Sequence, residues 1–275
     1  MKTPVNLRRN AVFAASLCLF VIPPLFPGSA PTRAFSAWTF PIKPLCYAAI
    51  AFALLRFSFP RSVLHIKRGA FRFVQTGWAI VSFGSLCVIA SAVELAARFS
   101  GGKANLYPAL PTSLAETFFC IANFACASFF EEAIYRLYLP ETLGAILKYV
   151  FLKSKKKGAE TEKERAAGKG IARENAVREK SAESTASENA ASNDAARENK
   201  VREKMTETAV RISETLSVIA FALSHRYLGL PSVVNAFFAG IVLRVCCKKS
   251  ETLWTNTAAH FAYNMLSLVL FSHMQ

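Results

Sequence analysis

The sequence predicts an all-α fold, a polytopic bundle of about seven transmembrane helices with polar groups inside it. Three observations carry this prediction. The 275-residue chain is 53% hydrophobic with a mean hydropathy of +0.29, too apolar for an ordinary soluble domain. Its apolar residues come in continuous runs, not in the alternating pattern of a membrane β-barrel. Most of these runs approach the roughly 20 residues a helix needs to cross the hydrocarbon core.

Taken in order, the candidate spans fall near residues 11–27, 42–59, 74–98, 113–139, 211–226, 232–246 and 254–272. The first follows Lys2, Arg8 and Arg9 and precedes small residues around Gly28–Ala30, a pattern shared with cleavable signal peptides. An uncleaved first helix fits the same residues, keeps the charge bias consistent and is the preferred reading. The basic, aromatic stretch 56–73 between the second and third spans reads as an interfacial loop or short amphipathic helix against anionic headgroups.

A net charge of +15 would suggest nucleic acid in a soluble protein. Here the positive-inside rule accounts for it. With a cytoplasmic N-terminus, that side also holds Arg56, Arg61, Lys67, Arg68, Arg72, the charged segment near 153–207, Arg244, Lys248 and Lys249. The opposite side keeps Arg33, Lys43, Arg98, Lys103 and Arg226. The expected location is the cell membrane, multi-pass, with membrane lipids as partners and no nucleic acid. All seven cysteines lie in or beside apolar spans without a CxxC pair, so they read as small packing residues.

Residues 153–207 break from this pattern, with 14 Lys/Arg, 11 Asp/Glu and much Ala, Ser and Asn. An imperfect repeat, ARENAVREK at 172–180, returns as ARENKVREK at 196–204. Too few apolar residues are present to bury a core, so disorder or a fluctuating solvated helix is expected in a cytoplasmic insertion. The chain then divides into 1–152 with four spans, the insertion 153–207, and 208–275 with three spans.

Ionisable groups inside spans are costly and mark function by default. Glu131, Glu132 and Arg136 sit together in FFEEAIYRLYL. On an α-helix, residues four apart share a face while neighbours differ by about 100°. Glu132 and Arg136 therefore pair as a neutralised unit, and Glu131 is left to face a cavity, where a carboxylate suits general acid or base work. Phe221 and His225 lie in FALSH, and His260 and Asn264 share one side of the last helix in HFAYN. An imidazole and a carboxamide can both donate to an oxyanion. Singly, each has a bland reading as helix-to-helix glue; three such groups on three spans favour a shared site. His65 and His273 read as solvated or interfacial.

The ordered set EEAIYR, FALSH and HFAYN resembles the motifs of the CPBP family of intramembrane proteases, which includes the CAAX prenyl protease 2 and bacterial Abi types. The approach FFAGIVLRVCCKKSETLWTNTAAHFAYN is also similar, and the resemblance covers roughly 113–152 and 212–272. Leu137 stands where the first motif commonly continues with Gly, which bears on local helix packing and not on the polar groups. The resemblance implies an endopeptidase in which Glu131 and His225 activate a water, His260 and Asn264 hold the oxyanion, and Glu132, Arg136 and Phe221 support them. It implies a membrane-associated or lipidated peptide or protein as substrate. Glu131, His225 and His260 could also supply a three-ligand zinc site, Zn2+ plus water being a common catalytic set; spacing leaves metal and metal-free schemes both open. Two other classes remain in view, a non-catalytic membrane immunity or binding protein keeping the fold, and a transporter using the buried charges.

Overall fold

In the computed structural model, residues 4–26, 41–58, 73–101, 110–170 and 184–272 are described. Gly28–Ala30, His65, His273, residues 59–72 of the basic stretch and the first copy of the repeat lie outside them. Every regular element among the described residues is helical: α1 (Pro4–Ser16), α2 (Ile42–Ser58), α3 (Phe73–Phe99), α4 (Leu114–Glu131), α5 (Leu139–Gly170), α6 (Ser184–Ser224), α7 (Leu230–Ser250) and α8 (Leu253–Ser272). A π-helical turn, Leu17–Val21, extends α1, and a longer π segment, Glu132–Tyr138, joins α4 to α5 without a break.

The chain forms two compact units, Met1–Pro140 with Leu216–Gln275, and Glu141–Thr215. Much of the second unit is the charged segment, helical in its described part where the sequence allowed disorder or helix. Exposed i,i+4 pairs such as Arg211–Glu207, 2.6 Å apart, provide local support there. Within this unit Gly144 brings α5 close to α6, since a Cβ there would stand 3.0 Å from Ser213 Oγ.

The first unit is built inside-out relative to a soluble domain. Ile80, Val81, Val88 and Leu95 of α3 are exposed, as are Phe118 and Ile121 of α4, while Glu132, Arg136, Asn256, Thr255 and Ser128 are buried. An apolar exterior around a polar interior is what hydrocarbon solvent selects. Among the described residues three helical stretches are long and apolar enough to cross a membrane, Val74–Phe99, Leu114–Lys155 and Leu230–Ser250, and Asn10–Val21 is a shorter apolar helix. The remaining expected spans exist as helices, α2, the end of α6, and α8. Helix α2 has 17 residues, and α8 carries Thr255, Asn256, Thr257, His260 and Asn264 in its first three turns.

Local chemistry sets the helix ends that matter for the site. Ser113 caps α4 by accepting from the Glu116 amide at 3.2 Å, and Glu116 reaches back to the Thr112 amide at 2.6 Å, a variant of the capping box. Gly229 (φ 102) starts α7, with Pro231 in its first turn. Glu251 ends α7 in the left-handed region at φ 54, and Thr252 Oγ1 accepts from the Trp254 amide at 3.3 Å to open α8.

Helix α4 packs against α2 and α8, and α3 lies along both α7 and α8. Helix α8 runs antiparallel to α4: Asn256 meets Glu132, Asn264 meets Ser128, and Leu268 packs with Cys120. Phe20, Tyr47 and Phe130, with ring centroids 5.2–5.6 Å apart, tie the first turn of π-helix to α2 and α4.

Candidate active site

The π segment is where the first motif departs from ordinary helix. Its hydrogen bonds skip one residue further, as from the Leu139 amide to the Ile134 carbonyl. Such segments recur at functional sites because the widened turn re-aims side chains and leaves carbonyls to be satisfied from outside. Here Ser217 Oγ donates to the Tyr135 carbonyl, and Arg244 Nη1 donates to the Arg136 carbonyl at 2.5 Å.

Glu131, the last residue of α4, lines a cavity of about 220 Å³ together with His225, His260, Asn264 and Phe221. Glu132, the next residue, points away into the protein and is wholly buried. Its Oε2 lies 3.7 Å from Arg136 Nε, an ion pair too long for a hydrogen bond. No nitrogen of the buried guanidinium has a hydrogen-bond partner among the described residues. Instead it sits 3.9 Å over the face of Phe221, a desolvated cation–π contact of roughly 2 kcal/mol. The same ring packs edge-on to Tyr135, His225 and His260, with centroids 5.5, 4.7 and 6.3 Å away. Phe221 thus keeps the supporting cation from the two imidazoles and fixes all three.

Both histidines are held by Nδ1. His225 Nδ1 lies 2.9 Å from the Phe221 carbonyl, which can only accept, so Nδ1 carries the hydrogen. His260 Nδ1 lies 2.9 Å from Glu132 Oε1. Each ring then turns Nε2 toward Glu131 Oε2, at 3.9 Å for His225 and 3.7 Å for His260. Three helix ends converge on one carboxylate oxygen: α4, the end of α6 and the second turn of α8. Asn264, one turn further along α8, donates from Nδ2 to Ser128 Oγ at 3.2 Å and lines the cavity beside His260.

Asn256 was not among the residues singled out from sequence. It is fully buried, and its Nδ2 donates to Glu132 Oε2 at 3.0 Å and to the Leu243 carbonyl at 2.6 Å. The signal was available, because Asn256, His260 and Asn264 follow one another at four-residue steps on one face. Leu137, the departure from the first motif, is half-buried in the π segment.

Glu131 Oε2 thus faces the Nε2 atoms of both His225 and His260. Among the described residues no group of three His, Cys, Asp or Glu side chains is gathered closely enough to hold a metal ion.

No curated protein and no solved structure matches the chain. A family model does: the type II CAAX prenyl endopeptidase Rce1-like family matches residues 113–266, more than half of the chain and a stretch that holds every polar group described above. The chain belongs to the Rce1-like family of type II CAAX prenyl endopeptidases, a family of proteases.

Proposed function

We propose that the protein is an intramembrane endopeptidase of the metal-free, glutamate-dependent kind, cutting membrane-associated or lipidated peptides in the cavity beside Glu131. The observation that carries this reading is the pair of distances from Glu131 Oε2 to two imidazole Nε2 atoms, 3.9 and 3.7 Å, with each ring fixed at its other nitrogen. These separations are too long for direct hydrogen bonds and suit one water about 2.8 Å from each atom of a pair. Glu131 takes a proton from that water while the His225 Nε2 lone pair orients it by accepting its second hydrogen. The water oxygen bonds to the peptide carbonyl carbon. As the C–N bond breaks, Glu131 returns the proton to the leaving nitrogen.

The oxyanion needs donors. Asn264 has a second Nδ2 hydrogen beyond the one given to Ser128, and protonated His260 presents Nε2–H while Glu132 holds its Nδ1–H. Glu132 and Arg136 compensate one another, so the pair can hold His260 without adding a net charge to the interior.

Incubation of the purified full-length protein in proteoliposomes with membrane-anchored peptides tests the reading. New peptide termini, found by mass spectrometry and formed equally with and without a chelator, are expected. An absence of new termini contradicts the proteolytic assignment, and loss of cleavage on chelation contradicts the metal-free one.

A further inference from the structure

The hydrolytic scheme uses one end of the cavity and leaves the other unexplained. Asn123, Ala127 and Glu131 follow at four-residue steps on one face of α4, and all three line the cavity. Eight residues at 1.5 Å each put Asn123 about 12 Å from Glu131 along the helix. Tyr263 and Ser267 of α8 and Asn235 of α7 line the same cavity, with Asn235 bonded to Tyr263. Asn123 is itself buried, with 8% of its surface exposed.

Asn235 carries the argument. Its Nδ2 donates to the Tyr263 hydroxyl at 3.0 Å, and that hydroxyl is also bonded to Ser267. The carboxamide is thereby anchored through one of its two polar atoms, and the other, Oδ1, is buried with no hydrogen-bond partner among the described residues. A buried acceptor with nothing to accept from is costly, and native proteins rarely keep one without a use. Apart from two tyrosines, the ionisable side chains lining the cavity are Glu131, His225 and His260, all at the catalytic end.

We infer that the Asn235–Tyr263 wall of the cavity is a specificity subsite for a neutral hydrogen-bonding side chain of the peptide, a carboxamide or hydroxyl, whose donor satisfies Asn235 Oδ1. An extended peptide advances about 3.3 Å per residue. The recognised side chain therefore lies within about four residues of the bond beside Glu131, since the cavity reaches about 12 Å along α4 from Glu131 to Asn123. A charged side chain meets no counter-charge here and is disfavoured by burial. An apolar one leaves Asn235 Oδ1 unsatisfied, the situation in which a polar site rejects its deficient analogue.

The inference rests on the proteolytic reading, and binding separates the two. Full-length Glu131→Gln protein in detergent is titrated with labelled membrane-anchored peptides carrying Gln, Leu or Glu at one of the four positions on either side of the target bond. The Gln peptide is expected to bind at least about 10-fold tighter than the Leu or Glu peptide at one of these positions, as for a buried hydrogen bond left unmade. Adding Asn235→Leu should bring the Gln-to-Leu ratio to within about 2-fold, and the milder Tyr263→Phe should give an intermediate ratio. Equal binding of the Gln and Leu peptides, discrimination that survives both variants, or no binding of any peptide overturns the subsite. Cleavage of the same peptides by wild-type protein is read separately, so discrimination without cleavage overturns the hydrolytic reading and leaves the subsite standing.

Discussion

Arg136 and Glu132 show how a residue can be costly and still indispensable. Both are wholly inside the protein, and the pair is separated by 3.7 Å. Removing one partner of such a pair leaves an uncompensated ion and costs roughly 3–5 kcal/mol. The sequence made their pairing legible because four-residue spacing in an apolar run leaves few alternatives. It did not make legible that Arg136 leans on the Phe221 ring, or that Glu132 serves His260 and Asn256 as well, since those contacts join residues up to 128 positions apart. Asn256 offers the sharpest test at this scale. Asn256→Leu keeps the branched shape but removes both donated hydrogen bonds, and should lower thermal stability in detergent by about 1–3 kcal/mol. It should also reduce kcat by up to about 100-fold with KM little changed, as displacement of a positioned group does. An unchanged kcat would show that Glu132 holds His260 without help.

At the scale of elements, the π segment Glu132–Tyr138 is the feature that spacing could not reveal. Apolar periodicity reports that a helix passes through the motif, but a one-residue widening leaves the composition unchanged. The signs of it are tertiary: Ser217 and Arg244 reach in to satisfy the Tyr135 and Arg136 carbonyls. Helix α7 must come close for this, and Gly240 is where it does. A Cβ there would stand 3.2 Å from Val218 Cγ1 and 3.4 Å from Phe221 Cδ1, with Arg136 Nη2 at 3.8 Å. Gly240→Ala asks the Val218 side chain to give by a few tenths of an ångström, while Gly240→Leu drives a branched side chain into the Arg136–Phe221 stack. Overpacking of this kind typically costs 1–3 kcal/mol. Thermal unfolding should therefore fall modestly for alanine and severely for leucine, with cleavage lost in the second. Equal stability of the two variants would place the approach of α7 elsewhere.

For the whole molecule, the helical membrane architecture was readable because hydrocarbon imposes it on the composition. The long stretches Val74–Phe99, Leu114–Lys155 and Leu230–Ser250 stand out in any reading of hydropathy. Helix α8 is harder to see as a span for the reason that makes it useful, since its first turns carry Asn256, His260 and Asn264. The charged segment was legible as a departure in composition, and its helical state in the described residues is not something its low apolar content could decide. Replacing residues 156–207 by a flexible Gly/Ser linker should leave cleavage within about 2-fold, because loop-closure entropy changes slowly with length. A large loss would assign the segment a role in activity. The proposed hydrolysis turns on Glu131, and its most direct measurement is the single-turnover cleavage rate of a membrane-anchored peptide by wild-type and Glu131→Gln protein matched for folding and peptide affinity. Loss of the general base predicts a fall of roughly 10²–10⁴-fold in rate with binding retained. A Glu131→Gln protein that cleaves within a few-fold of wild type would contradict the assignment of the two histidines and this carboxylate to one catalytic site.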